Sequence, residues 1–137
     1  MSKALEEGST LQLDFTKIAK VASKCSDVIP VAIQNADTGE VILVAYTNEI
    51  AFKKTLESRT LILWSTSRNE LWEKGKISGE TFELIEARVN CEQNSLLYMV
   101  RPRRGAICHT QDAEGKPRNC FYRVIDPDTF TLINTHP

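Results

Sequence analysis

The sequence predicts a mainly β, single-domain protein of the α+β class with two short helices. Short apolar, β-branched runs recur along the chain, each bounded by a polar turn cluster. Apolar residues at helical spacing appear in only two short windows. The length, 137 residues, suits one domain with its own core, and no repeat, low-complexity segment or linker divides it.

Taken in order, residues 1–10 read as a frayed leader. "DFTKIAKVASK" places Phe15, Ile18, Ala19 and Ala22 at i, i+3, i+4 and i+7, with Asp14 as N-cap, which predicts an amphipathic helix. "VIPVAIQ" (28–34) and "VILVAY" (41–46) flank the turn cluster "NADTGE" and predict a hairpin. Asn48 caps a second helix running to Glu57, with Glu49 and Lys53 as an i,i+4 pair. "TLILWS" (60–65) predicts a strand, and "RNELWEKGKISGE" (68–80), with Gly75 and Gly79, a loop. "TFELIEARV" (81–89) puts Phe82, Leu84, Ala87 and Val89 against polar Glu83, Glu86 and Arg88. "SLLYMV" (95–100), "CFYRVI" (120–125) and "FTLI" (130–133) predict further strands.

Hydrophobic residues make up 42% and charged residues 26%, an ordinary soluble composition. Seventeen basic against 18 acidic residues leave a net charge of −1, so neither nucleic acid nor an anionic membrane is an expected partner. Arg101, Arg103, Arg104, Lys116, Arg118 and Arg123 nonetheless crowd one region, a patch suited to a small phosphorylated ligand. The opening "MSKALEEGST" has no apolar run of the signal-peptide kind, and no stretch approaches the roughly 18 apolar residues of a spanning helix. A cytoplasmic setting is expected. There Cys25, Cys91, Cys108 and Cys120 stay reduced and serve as ligands, catalysts or buried thiols rather than disulfides.

Cys91, Cys108 and Cys120 stand far apart, and none forms a C-x-x-C knuckle. Two readings stay open on spacing alone. They are small buried hydrophobes, or three sulfurs from separate strands that hold Zn²⁺ and leave its fourth position open. An open position is what catalytic zinc needs, because water there becomes a nucleophile near neutral pH. His109, beside Cys108, is a ligand, a general acid/base or a structural histidine. Cys25 reads as a plain thiol, and His136 lies in the tail. "WSTSRNELWEKGKISGE" offers Ser65, Thr66, Ser67, Arg68, Lys74, Gly75, Ser78 and Gly79, the materials of a phosphate or ribose cradle, or else of a polar surface loop. The Walker order is absent, and Trp64 and Trp72 read as core residues.

Together these pieces resemble the phosphoribosyl-AMP cyclohydrolase family of histidine biosynthesis, from Asp27 to Tyr122. "WSTSRNELWEKGKISG" resembles the family's "y-S-R-S-R-x-x-L-W-x-K-G-E-T-S-G", and "GAICHT" and "NCFY" resemble its "G-P-A-C-H-T-G" and "S-C-F-Y". The resemblance implies a strongly bent mixed-sheet pseudo-barrel over 27–126, preceded by an N-terminal extension with a short helix (1–26) and followed by a C-terminal tail (127–137). It implies zinc on Cys91, Cys108 and Cys120, and a homodimer whose sites take residues from both subunits. The implied reaction is hydrolytic opening of the adenine ring of N1-(5′-phosphoribosyl)-AMP at the C6–N1 bond. His109 and Glu92 are the expected catalytic groups. Ser65, Ser67, Arg68, Trp72, Lys74, Gly75, Lys76, Ser78, Gly79 and Arg104 are the expected substrate-binding residues.

The sequence departs from the pattern at informative places. The family's "D-C-D-G-D", whose aspartates hold Mg²⁺, reads "NCEQN" here. Asn90, Glu92 and Asn94 thus offer one carboxylate and two amides, and should bind Mg²⁺ weakly or not at all. "K-G-E-T-S-G" reads "KGKISG", so Lys76 replaces an acid and Ile77 a hydroxyl. "S-R-S-R" reads "STSR", losing a cation at Thr66, and the loop between Cys108 and Cys120 is longer than usual. These changes define a second reading: a diverged paralogue, either a zinc hydrolase of another purine-like nucleotide or a non-catalytic zinc-binding relative. A structural-zinc or RNA-binding module has against it the neutral charge and the lack of interleaved aromatics. A base deaminase is excluded, since neither H-x-E nor P-C-x-x-C occurs.

Overall fold

The computed structural model describes residues 3–74, 81–103, 113–114 and 119–135. The elements are α1 (Lys3–Glu7), α2 (Lys17–Lys24), β1 (Ile29–Asn35), β2 (Val41–Thr47), α3 (Glu49–Ser58), β3 (Ile62–Ser65), β4 (Glu70–Glu73), β5 (Phe82–Val89), β6 (Leu96–Pro102), β7 (Arg123–Ile125) and β8 (Leu132–Asn134). Strands dominate, as expected.

The main sheet has the order β2-β1-β6-β5. Two antiparallel pairs, β1–β2 and β5–β6, are joined in the middle by parallel pairing of β1 with β6, from Val31 opposite Leu96 to Asn35 opposite Val100. This mixed pairing is the feature that the expected bent sheet requires. Pro30 precedes the β6 pairing, so its missing N–H breaks no bond in the middle of the sheet. Between β1 and β2, Asn35 Oδ1 accepts from the N–H groups of Asp37 and Thr38, and Gly39 takes the left-handed conformation (φ 79°) that closes the turn.

The second helix forms as its sequence dictates. Asn48 accepts from Ala51 N–H at 3.0 Å, Glu49 pairs with Lys53, and Arg59 ends the helix in the left-handed region. The buried Thr55 hydroxyl ties this helix to β3: it accepts from Ile62 N–H, with the Ala51 and Ile62 carbonyls also within hydrogen-bond distance. The hairpin β3–β4 meets the main sheet through a bridge between Thr60 and Glu83. Val31, Ile33, Ile42, Leu61, Leu63, Phe82, Leu84, Tyr98 and Val100 close the core, with Phe52 and Trp72 packed against it.

The structure corrects several expectations. Residues 3–10 are not part of a frayed leader. They form α1 and then pair with the C-terminal hairpin: Thr10 bridges Thr131, Leu132 N–H donates to Ser9 O, Tyr122 Oη to Glu6 O, and Arg123 to Gly8 O. A third short helix therefore joins the two expected. The segment 68–80 contains β4, a strand of four residues whose charged ends, Glu70 and Glu73, hide its register with β3. A bulge between Leu84 and Glu86 breaks the alternation of β5 and brings Ala87 and Val89 to the face of Phe82 and Leu84, yet Val89, the last residue of the strand, is exposed. The first expected helix exists, but it buries Val21 on a different face; Phe15 and Ile18 are exposed, and its N-cap is Thr16, with Asp14 accepting from Thr16 and Lys20.

Tyr98 lies at the centre of the core. Burial pushes its phenol up to about 12, against the opposing influence of the nearby Thr47 and Thr55 hydroxyls. Its hydroxyl makes no hydrogen bond of normal geometry among the described residues. Only the neutral phenol is tolerated there, whereas the unfolded chain ionises Tyr near pH ~10. The stabilisation is full below pH ~10 and is lost as pH rises to about 12. Guanidinium unfolding across this window should show falling stability, with a flatter profile for Tyr98→Phe.

Candidate functional site

Two groups of expected site residues occupy different parts of the fold. The first is the turn between β5 and β6. Asn90 Oδ1 accepts from the N–H groups of Asn94 (2.9 Å) and Ser95 (3.0 Å), while Asn90 Nδ2 donates to Asn94 Oδ1 at 2.7 Å. Asn94 Nδ2 in turn donates to Glu92 Oε2 at 3.4 Å, and Gln93 sits in the left-handed region. The turn presents Cys91 as an exposed thiol.

Cys120 is held elsewhere. Its N–H donates to Ile42 O on β2 at 2.9 Å, and the preceding Asn119 donates to Glu40 at 2.6 Å. Cys91 therefore follows β5, one edge of the main sheet, and Cys120 lies against β2, the other edge. Two strands, each about 4.8 Å wide, separate those edges. Two thiolates on one zinc stand only about 4 Å apart. Cys25, Cys91 and Cys120 are in no disulfide, as expected for reduced thiols. Among the described residues no three His, Cys, Asp or Glu side chains gather as a metal site, and Cys108 and His109 lie outside those residues.

The second group surrounds the β3–β4 turn. Ser65 is nearly buried; its Oγ lies 3.3 Å from Ser67 Oγ and accepts from Arg68 N–H. Trp64 donates through Nε1 to Asn69, whose left-handed backbone closes the turn. A cavity of about 230 Å³ opens here, lined among others by Trp64, Ser65, Thr66, Ser67 and Trp72. Trp72 is thus part core residue and part cavity wall. Lys74 lies 5.6 Å from the centre of its ring, a cation–π contact, and Arg68 pairs with Glu70 at 3.4 Å. Gly75, Lys76, Ser78, Gly79 and Arg104 lie outside the described residues.

Three residues of the expected phosphate patch, Arg101, Arg103 and Arg123, are committed to structural contacts. Arg101 grips Asp37 through two 2.9 Å bonds, which hold that carboxyl below its usual range. Arg103 bonds Thr60 and the Arg59 carbonyl, and Arg123 bonds Gly8. Lys116 and Arg118 lie outside the described residues.

Residues 43–122 match the family model of phosphoribosyl-AMP cyclohydrolase. The chain belongs to the phosphoribosyl-AMP cyclohydrolase family. It is 36% identical over 123 residues to a phosphoribosyl-AMP cyclohydrolase of Desulfatibacillum aliphaticivorans, covering 90% of this chain and 89% of the relative. It is 44% identical over 103 residues to one from Caulobacter vibrioides, covering 74% and 70%. A histidine biosynthesis bifunctional protein of Aquifex aeolicus is 43% identical over 99 residues, covering 72% of this chain but 46% of that longer protein. The expectation of a cyclohydrolase enzyme holds at the level of the family. No helix among the described residues is long and apolar enough to cross a membrane.

The family's magnesium does not fit the β5–β6 turn. Asn90 Oδ1 and Asn94 Oδ1 are already used as acceptors within the turn, and Glu92 is the one carboxylate of the three. A hard divalent cation prefers several anionic oxygens.

Sequence reasoning missed one contributor to the second group, Lys17, which lines the cavity from α2. Its signal was the spacing of Lys17, Lys20 and Lys24, which places cations on one side of a helix.

Asn90→Ala removes the acceptor for two backbone N–H groups and should cost about 1–2 kcal/mol in urea unfolding. Asn90→Asp keeps that acceptor and should cost less.

Proposed function

We propose that this chain is a zinc-dependent phosphoribosyl-AMP cyclohydrolase, acting in the cytoplasm as a homodimer. Its reaction is hydrolysis of the C6–N1 bond of N1-(5′-phosphoribosyl)-AMP in histidine biosynthesis. The observation that carries this reading is the retention of Cys91, Cys108 and Cys120, in order, within the segment that matches the family.

Three thiolates with an open fourth position suit zinc, which when bound supplies a Lewis acid that makes water a better nucleophile. The remaining chemistry falls to the chain. Substitution at N1 makes the purine cationic and C6 electrophilic. Water adds at C6, and its protons must move as the C6–N1 bond breaks and N1 takes up a proton. His109, adjacent to a zinc ligand, is the group that relays them. Glu92, adjacent to Cys91 and exposed, is the second acid/base at the same locus. The Trp64 and Trp72 walls and the Ser65 and Ser67 hydroxyls receive the nucleotide, with Lys74, Lys76 and Arg104 as cations for its two phosphoryl groups.

The homodimer is the family's implied assembly, and the attachment of Cys91 and Cys120 to opposite edges of the main sheet supports it. Thiols attached to opposite edges of one sheet meet more readily when one comes from each copy. Magnesium has no role in this reading, and Lys76 meets phosphate directly where the family carries an acid.

Purified protein, stripped by chelation and reloaded with zinc alone, should open phosphoribosyl-AMP, followed by ultraviolet absorbance, and added Mg²⁺ should change the rate less than twofold. No turnover by the folded, zinc-loaded protein would overturn the proposed substrate in favour of a diverged paralogue. Strict dependence on Mg²⁺ would overturn the account of the β5–β6 turn.

A further inference from the structure

The helix α2 lies outside the segment that matches the family model, yet it forms part of the β3–β4 cavity. Three contacts clasp it to the turn. Lys17 Nζ donates to Thr66 Oγ1 at 3.3 Å, Lys24 Nζ to Ser67 O at 2.5 Å, and the buried Cys25 thiol to Thr66 O at 3.4 Å. The three do different things. Cys25 and Lys24 bond backbone carbonyls and fix the helix in place. Lys17 bonds a side-chain hydroxyl and, among the described residues lining the cavity, is the cation.

The neighbouring cations are engaged. Lys20 pairs with Asp14 at 2.9 Å, and Arg68 with Glu70 at 3.4 Å. Among the described residues Lys17 forms no ion pair with a carboxylate; it donates to the Thr66 hydroxyl. A lysine ammonium beside three hydroxyls (Ser65, Thr66, Ser67) at the mouth of an aromatic-walled cavity is the arrangement that takes a phosphoryl oxygen. It also stands at a meaningful position. Thr66 occupies the place where the family pattern "S-R-S-R" carries an arginine, and Lys17 reaches that same side chain from a helix 49 residues away.

We propose that Lys17 supplies, from the N-terminal extension, the cation that Thr66 lacks, and that it binds a phosphoryl group of the nucleotide at the β3–β4 turn. This rests on the proposed nucleotide substrate but is separable from the reaction. The helix is then a working wall of the site, and its small buried face, Val21 with Cys25, is enough because its role is to carry Lys17.

The test uses the zinc-loaded full chain, with Lys17→Met, Lys17→Arg and the double variant Lys17→Met/Thr66→Arg. Two readouts are taken: KM and kcat for phosphoribosyl-AMP, and tryptophan fluorescence titrations with AMP and adenosine, since Trp64 and Trp72 line the cavity. Lys17→Met should raise KM and weaken AMP about tenfold, with kcat changed less than twofold and adenosine binding unaltered. Lys17→Arg and the double variant should each recover most of the lost affinity. A structural clasp alone would not be rescued by an arginine on the opposite side of the contact. Unchanged AMP affinity and KM in Lys17→Met would overturn the proposal, as would a double variant no better than the single. If the wild type fails to open phosphoribosyl-AMP while AMP binding still depends on Lys17, the substrate assignment falls and this inference stands.

Discussion

The parallel pairing of β1 with β6 is the constraint on which the rest of the molecule depends. Each outer strand of the main sheet is a local partner, β2 of β1 and β5 of β6. The β1–β6 contact brings together segments more than 60 residues apart by its own register, Val31 with Leu96. Closing so long a loop carries an entropic cost that only the shared core of Val31, Ile33, Tyr98 and Val100 offsets. Once formed, the pairing fixes both edges. One edge leads into the Asn90–Ser95 turn with Cys91, and the other leaves the Ile42 carbonyl to receive Cys120 N–H. The separation of the two thiols is therefore a consequence of strand order.

Around that sheet the chain's two ends do structural work. Residues 6–10 dock on the C-terminal hairpin, and α2 clasps the β3–β4 turn. The second contact extends the aromatic cavity with a cation from outside the matched segment. At the β5–β6 turn a similar economy operates. Two amides hydrogen-bond each other and two backbone N–H groups, so the loop is ordered by neutral groups where the family pattern has carboxylates.

What the sequence revealed depended on whether the governing interactions were local. Asn48 with its cap, the Glu49–Lys53 pair and the Asn35–Gly39 turn act within a few residues, and all were legible. Elements set by distant partners were not. The short β4 exists because β3 lies beside it, and the bulge after Leu84, which brings Ala87 and Val89 to the face of Leu84, is set by pairing with β6. The face that α2 buries was misread because Phe15 and Ile18 are larger than Val21, yet Val21 meets the rest of the fold. Of the candidate site, the grouping of Ser65, Ser67 and Trp72 around one cavity was legible from motif order. The engagement of Arg101, Arg103 and Arg123 in structural contacts, and the reach of Lys17 to Thr66, are properties of the folded chain that spacing does not encode.

The proposed function has the zinc site completed between two copies, with Cys91 and Cys120 attached to opposite edges of one sheet. Subunit mixing tests it most directly. Cys91→Ser and Cys120→Ser proteins are prepared separately, combined under conditions that exchange subunits, and assayed for zinc content and turnover. Ligands shared across the interface predict that each variant alone is inactive. Mixed dimers then regain one intact site, with up to about a quarter of wild-type turnover in a random mixture. Failure to regain any zinc or activity, in mixtures shown to contain exchanged dimers, would contradict the account.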